Sequence, residues 1–291
     1  AYIIRLDEEN KPKPPVIIEK SDGGFTYQAT DIATIKMRVD DLHADEIIYF
    51  VDKRQSLHFE QVFEVVEKLG IAPGVKLQHI GFGTVNGADG KPFKTRDGGV
   101  MNLADMIKMS KDKVAESMPA PDEAKGITRE YIDRLVSQIA VGAIKFQDLK
   151  NNIASGYVFE LDDFANFDGK TGPYIQYAVA RINSIMRKNQ NLVPGAVVIT
   201  NPEERALGLK LTQLSSVVFR AEADKEPSVI SDYAYTLAQL FSSFYNASPI
   251  MGAETSEIAA SRLALARLTR DVLVKLLYLL GIEAPEAMLK A

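Results

Sequence analysis

The feature that most constrains this 291-residue chain is a change of hydrophobic period partway along it. Residues 1 to about 119 mix two periods. Val16-Ile-Ile-Glu19 and Glu46-Ile-Ile-Tyr-Phe-Val51 are short β-branched and aromatic runs bounded by charge, and Lys76 to Val85 is a third candidate strand. Between the last two, Phe59, Val62, Phe63, Val66 and Leu69 recur at helical spacing, and Gly70 follows as a stop. Strand, helix and strand in some forty residues imply a parallel crossover, whose ligands sit beyond the carboxyl ends of the strands. That directs attention to 52–58 and 83–99. From Ile127 onward the period is helical. Ile132, Leu135, Val136, Ile139 and Ala140 form one stripe, and Leu263, Leu265, Leu268, Val272, Leu273, Leu276, Leu277 and Leu280 form another. Ser117-Met-Pro-Ala-Pro-Asp122 is the best linker, since its prolines stop helices and stiffen the connection. The expected architecture is α/β over 1–119 followed by an all-α bundle over 120–291.

Composition narrows the function classes. With 46% hydrophobic and 25% charged residues, neither disorder nor a fibrous class fits. No apolar run approaches the ~20 residues needed to span a bilayer. The first ten residues bring charge before any long apolar stretch, unlike a secretory signal. Without cysteine there is no thiolate chemistry, and His43, His58 and His79 are too scattered for a structural zinc site, so no metal centre is expected. A net charge of −5 argues against indiscriminate coating of nucleic acid and leaves room for one basic face.

Two segments invite a ligand. Asn86-Gly-Ala-Asp-Gly-Lys-Pro-Phe-Lys-Thr-Arg-Asp-Gly-Gly99 combines glycines, which let backbone approach a ligand, with the phosphate donors Lys91, Lys94 and Arg96. A solvated hairpin explains the same composition, and the residues alone leave both readings open. Ser21-Asp-Gly-Gly-Phe-Thr-Tyr27 leads into a helical stretch that sets Tyr27 and Asp31 four apart on one face. Together they suit a guanidinium; on residues alone, a helix cap at Thr30 or Asp31 is favoured.

Several segments, in order along nearly the whole chain, resemble the carboxyl-terminal half of arginyl-tRNA synthetase, a class I aminoacyl-tRNA synthetase. They are Ser21 to Ala33, Tyr49-Phe-Val-Asp-Lys-Arg-Gln-Ser-Leu-His-Phe59, His79-Ile-Gly-Phe-Gly-Thr-Val85, Gly90 to Gly99, Thr171-Gly-Pro-Tyr-Ile-Gln-Tyr-Ala178 and Leu279 to Glu286. The resemblance implies the second part of a Rossmann-like nucleotide-binding domain followed by a helical anticodon-binding domain. It implies arginine–tRNA ligase activity, with ATP and Mg2+, on L-arginine and tRNA(Arg), in a cytoplasmic monomer. The Y-x-x-x-D pair Tyr27 and Asp31, with Gln55 of the D-x-R-Q-x-x-H stretch, would bind arginine. His58, His79, Gly81, Phe82 and Val85 would lie against ATP, although His79 equally suits a satisfied core histidine. Two other readings stay open: a class I synthetase of different specificity, for which Asp31 would be unsuitable, and a non-catalytic tRNA-binding module, which need not keep the three pocket residues.

Two strings mimic class I motifs. Lys108-Met-Ser-Lys111 falls inside an amphipathic pattern of Leu103, Met106, Ile107 and Val114, so the phosphate loop is assigned instead to Pro92-Phe-Lys-Thr-Arg96, with duty on Lys91, Lys94 and Arg96. His79-Ile-Gly-Phe82 lies in a late strand, not at the start of the fold. With no true H-I-G-H element, the chain is expected to be a fragment inactive in adenylate formation.

In the helical half, Ile175, Ala178, Val179, Ile182 and Ile185 face one way, and Tyr177, Arg181, Ser184 and Lys188 the other. On residues alone the second face is an ordinary solvated one. The resemblance makes Tyr174, Tyr177, Arg181, Lys188, Tyr245 and Met288 the expected tRNA contacts, with Phe244 and Asn246 as neighbouring candidates. Residues 120–291 hold 18 Lys and Arg against 20 Asp and Glu, so a local face must do the binding. Ala287 stands where the family usually has arginine, which weakens any role for the tail.

Overall fold

The computed structural model describes residues 1–6, 13–87, 89–91, 102–159 and 168–289. Contacts divide the chain into two compact units, Ala1–Thr84 with Ala154–Gly156, and Val85–Ile153 with Tyr157–Ala291. The linker expected near residue 119 therefore falls inside the second unit, where Met118 packs against the cluster of Val114, Ile132 and Leu135.

In the first unit β1 (Tyr2–Ile4) and β2 (Val16–Glu19) pair antiparallel. A turn through Gly23, at φ +82°, leads into α1 (Tyr27–Asp40). The helix is capped neither by Thr30 nor by Asp31: Thr26 is the N-cap, its Oγ1 accepting from Ala29 N at 3.3 Å and donating to the Ile17 carbonyl. Capping one turn earlier leaves Asp31 inside the helix, with its carboxylate available for other work. β3 (Glu46–Asp52) pairs parallel with β4 (Lys76–Phe82) in unbroken register from Glu46↔Lys76 to Asp52↔Phe82, and α2 (Ser56–Lys68) forms the crossover. Gly70, at φ +63°, lies just beyond that helix. Leu6, Val16, Ile32, Ile35, Ile47, Val62, Val65 and Val66 make the core. Each such side chain, fully buried, contributes about 1.5–3 kcal/mol. The stretch 154–156 closes on this unit: Lys53 Nζ donates to the Ala154 carbonyl at 3.1 Å, and a Cβ on Gly83 would stand 2.3 Å from the Ser155 backbone.

In the second unit β5 (Val85–Asn86) pairs parallel with β6 (Tyr157–Val158). Around them run α3 (Leu103–Ala115), α4 (Arg129–Leu149), α5 (Gly172–Lys188), α6 (Pro202–Leu211), α7 (Leu214–Asp224), α8 (Ser228–Ala247) and α9 (Ser256–Leu279). Asn102, Thr128, Thr171, Asn201 and Thr255 cap five of these helices through side-chain oxygens. The α4 stripe is buried as expected. The α9 stripe is buried except at Leu268, which is 47% exposed; polar Thr269 and Arg262 occupy core positions that an apolar pattern skips. Arg262 is satisfied there by Glu204 Oε1 at 2.8 Å, the Pro249 carbonyl at 2.9 Å and Glu254 at 3.5 Å. Burial pushes the Glu204 carboxyl upward, but donors from Thr200 and Arg262 more than offset this and hold it below the ordinary range. The 108–111 string lies within α3, with Ser110 wholly buried.

Candidate arginine pocket and helical face

The first site lies where the carboxyl end of β3 meets the first turns of α1 and α2. Asp52, the last residue of β3, accepts from Arg54 N at 2.8 Å, Nε at 2.9 Å and Nη2 at 2.7 Å, and so caps the single 3-10 turn Lys53–Gln55. These hydrogen bonds, side chain first and backbone second, hold the Asp52 carboxyl down at about 2. The turn delivers Gln55 to a cavity of about 330 Å³ lined by Tyr27, Gln28, Asp31, Val51, Gln55, His58 and Phe59. The three residues expected for arginine thus share one cavity, joined by His58. Tyr27 is 86% exposed at its mouth. Asp31 Oδ2 lies 2.6 Å from His58 Nε2.

Behind the cavity stands an aromatic group. Phe59 lies 4.6 Å from Tyr49 and stacks on His79 at 4.8 Å. Burial raises the Tyr49 phenol; Arg38, 5.2 Å above its ring, opposes this, and Asp31 adds to it. His79 Nε2 is 3.1 Å from the Val51 carbonyl, which only accepts, so the ring is hydrogen-bonded within the sheet. Gly81 leaves no room for a side chain, since a Cβ would stand 2.9 Å from Lys53 Cα, and Phe82 is exposed at the end of β4. Val85 belongs to the second unit, half-buried against Ala143 and Phe159. Lys91 is exposed on a turn closed by Gly87 N to the Lys91 carbonyl at 2.7 Å, whereas Lys94 and Arg96 lie outside the described residues.

The second site is a helical face. The buried side of α5 is the expected one, Ile175, Ala178, Val179, Ile182 and Ile185. On its other side the Arg181 guanidinium lies 4.7 Å over the Tyr245 ring of α8, which stacks on Phe241. Arg181, Ser184, Lys188, Asn189, Tyr245 and Met251 line an open cavity of about 420 Å³. Tyr177 is half-buried on the same face, and Tyr174 packs 5.4 Å from Tyr235. Phe244 is fully buried in the core and unavailable to a ligand, because α8 turns Tyr245 outward instead. Met288 packs partly buried against the α3–α4 cluster and does not line this cavity. Sequence reasoning missed Met251 and Asn189, which follow helix ends and carry no periodic signal.

A parallel crossover with its cavity at the strand ends, ahead of a helical bundle, is the architecture of a class I synthetase with an anticodon domain. Residues 1–161 match the family of class I (R) tRNA synthetases, catalytic domain, and residues 175–288 match the DALR anticodon binding domain. The chain belongs to the class I (R), arginyl, tRNA synthetase family. It is 43% identical over 289 residues to an arginine–tRNA ligase of Hyphomonas neptunium, covering 98% of this chain and 49% of that protein. It is 42% identical to the arginine–tRNA ligase of Maricaulis maris, covering 99% of this chain and 50% of the relative. Among solved structures it resembles the arginyl-tRNA synthetases of Thermus thermophilus (TM-score 0.80, 25% identity, 98% of this chain and 56% of that one) and Plasmodium falciparum (TM-score 0.78, 28% identity, 98% and 48%). The chain spans about half the length of the curated relatives it matches. No described helix is long and apolar enough to cross a membrane.

Proposed function

We propose that the chain carries the amino-acid pocket and the tRNA-reading domain of an arginine–tRNA ligase. The observation that carries this reading is the convergence of Tyr27, Asp31 and Gln55 on one cavity. A carboxylate beside a phenol and a carboxamide suits a guanidinium, and a site built to pair that fork rejects a ligand that leaves its groups unpaired. In the reaction, an arginine carboxylate oxygen attacks the α-phosphorus of ATP and pyrophosphate leaves. The ribose hydroxyl of tRNA then attacks the adenylate carbonyl carbon and AMP leaves. The chain's part is to hold the guanidinium end so that the carboxylate is aimed, which is catalysis by placement and electrostatics. His58, at the start of α2, and His79, Gly81 and Phe82, at the end of β4, are assigned to the nucleotide, as is Val85. Lys91, Lys94 and Arg96 are assigned to its phosphates. Magnesium is assigned to the ATP complex. The Arg181–Tyr245 face is assigned to single-stranded tRNA, because an aromatic ring beside two cations suits a base and its phosphates.

Exchange of labelled pyrophosphate into ATP tests the reading. The 291-residue chain alone is expected to give no arginine-dependent exchange, and the same sequence within a protein of the relatives' full length is expected to give it. Exchange driven by another amino acid in the longer protein would replace arginine as substrate. Tight tRNA binding without any exchange in that protein would favour a non-catalytic module.

A further inference from the structure

Charge is spread unevenly over the helices. The chain as a whole carries −5, and every other described α-helix holds at least one Asp or Glu. α5 holds none, yet it carries Arg181, Arg187 and Lys188. At 3.6 residues per turn, consecutive side chains leave a helix about 100° apart. Lys188 accordingly joins Arg181 in lining the α5–α8 cavity, whereas Arg187 lines a second cavity of about 420 Å³ on the other flank of α5. α9 and the segment after it complete that second cavity, through Arg270, Val274 and Glu286.

Two guanidiniums meet there, and neither donates a hydrogen bond to any described residue. Arg187 Nη1 stands 3.9 Å from Glu286 Oε1, too far to bond, and the Glu286 side chain is 88% exposed. Arg270 Nε is 3.0 Å from Asp271 Oδ1 but off the hydrogen-bond direction, so this buried nitrogen has no acceptor. Arg262, buried elsewhere in the bundle, is by contrast satisfied by Glu204 and the Pro249 carbonyl. A buried charged donor without an acceptor costs stability, and an anion between the two forks removes that cost. Two planar forks on one space suit a phosphate, whose oxygens accept from both, better than a carboxylate, which one fork satisfies. Val179 and Val274 give the cavity apolar walls, and Asn183 Nδ2 holds its rim by donating to the Glu286 carbonyl at 3.0 Å.

We infer that the α5–α9 cavity is a phosphate site for RNA, distinct from the Arg181–Tyr245 face: a phosphodiester seats between Arg187 and Arg270 and displaces the Glu286 carboxylate. The strand then crosses the carboxyl end of α5 from one cavity to the other. The inference rests on the tRNA reading of the helical domain. A phosphate carries no base identity, so this site fixes where the strand lies and leaves the choice of bases to the Arg181–Tyr245 face.

The test is binding of a tRNA(Arg) transcript to the 291-residue chain across roughly 50 to 200 mM salt, beside a second transcript altered in its anticodon. Arg187→Gln and Arg270→Gln are each expected to weaken binding about fivefold, by the same factor for both transcripts. The double variant is expected to flatten the plot of log Kd against log salt by about 0.7, the share of one phosphate on a single strand. Glu286→Gln, which removes the competing carboxylate, is expected to tighten binding about twofold, a gain that a merely structural role does not give. Unchanged affinity and slope in folded Arg187→Gln and Arg270→Gln overturn the site, and a loss in Tyr245→Ala alongside them leaves the tRNA face standing. No affinity of the wild-type chain for either transcript overturns the tRNA reading, and this inference with it. Inorganic phosphate that moves the Arg270 Nε–H signal in NMR, where the transcript leaves it unmoved, assigns the cavity to a free anion and also overturns the inference. Arg187 is half exposed, so if Arg270→Gln does not fold, Arg187→Gln and Glu286→Gln decide.

Discussion

The two candidate sites solve opposite problems. The pocket beside β3 rests on a small core and is organised by a few polar contacts between residues far apart in sequence, Asp31 with His58 above all. The α5–α8 face rests on a large continuous core, and its candidate contact residues are simply those that the core leaves outside. In the bundle, polar groups taken inside serve the fold: Glu204 and Arg262 are 0% and 4% exposed and satisfy one another. In the candidate pocket, the polar pair of Asp31 and His58 is only partly buried. A buried pair that is complete makes structure, whereas a partly exposed pair with a free edge makes a site.

That contrast can be broken in four places. The largest effect is expected at Glu204→Ala, which removes the buried carboxylate partner of Arg262 and leaves its guanidinium only the Pro249 carbonyl and the exposed Glu254. It should cost the bundle about 3–5 kcal/mol, read as a lowered denaturant midpoint. The double variant Glu204→Leu with Arg262→Met should recover much of the loss; failure to recover would make the pair more than a structural pin. Next, Asp31→Ala should remove about 1.5–3 kcal/mol of arginine binding, a tenfold to hundredfold rise in dissociation constant, with little change in unfolding. A matching fall in stability would show that the pocket pair also serves the fold. Third, Tyr245→Ala should cost about 1–3 kcal/mol of tRNA affinity at fixed salt while helicity by circular dichroism is retained.

The smallest effect concerns pH. The Asp52 carboxyl is held down at about 2 by Arg54, below its ordinary 3.8. A folded-state value below the unfolded one contributes stability that is full above the unfolded value and fades as pH falls through about 2. The 3-10 turn that carries Gln55 should therefore stay ordered through mild acid. Amide NMR of Arg54 and Gln55 reads this directly, and loss of their shifts already near pH 5 would refute it.

What was legible in the sequence was whatever repeats. The run 46–51 and the stripes at Ile132–Ala140 and Ile175–Ile185 match the structure, and the run 76–85 matches in part, since the strand takes 76–82 and Val85 starts another. Tyr27 and Asp31 could be placed together because four residues make one helical turn. Other features carry no period. Thr26, not Thr30 or Asp31, caps α1 because its hydroxyl also reaches Ile17 on β2, a contact made only once strand and helix are side by side. Arg262 and Thr269 sit in the core because partners elsewhere satisfy them, and no local pattern announces a partner 58 residues away. The Asp31–His58 pair is of the same kind. The phosphate candidates Lys94 and Arg96 lie outside the described residues.

Ala154–Gly156 belong with the first unit although the chain around them belongs to the second. Gly83 is a glycine because that returning strip of backbone occupies the place of its side chain. No single cut in the gene yields both units whole, since a break after Thr84 would strip the first of its last three residues and leave Gly83 facing a gap. An exchange of the first unit for a relative's must therefore carry 154–156 together with 1–84.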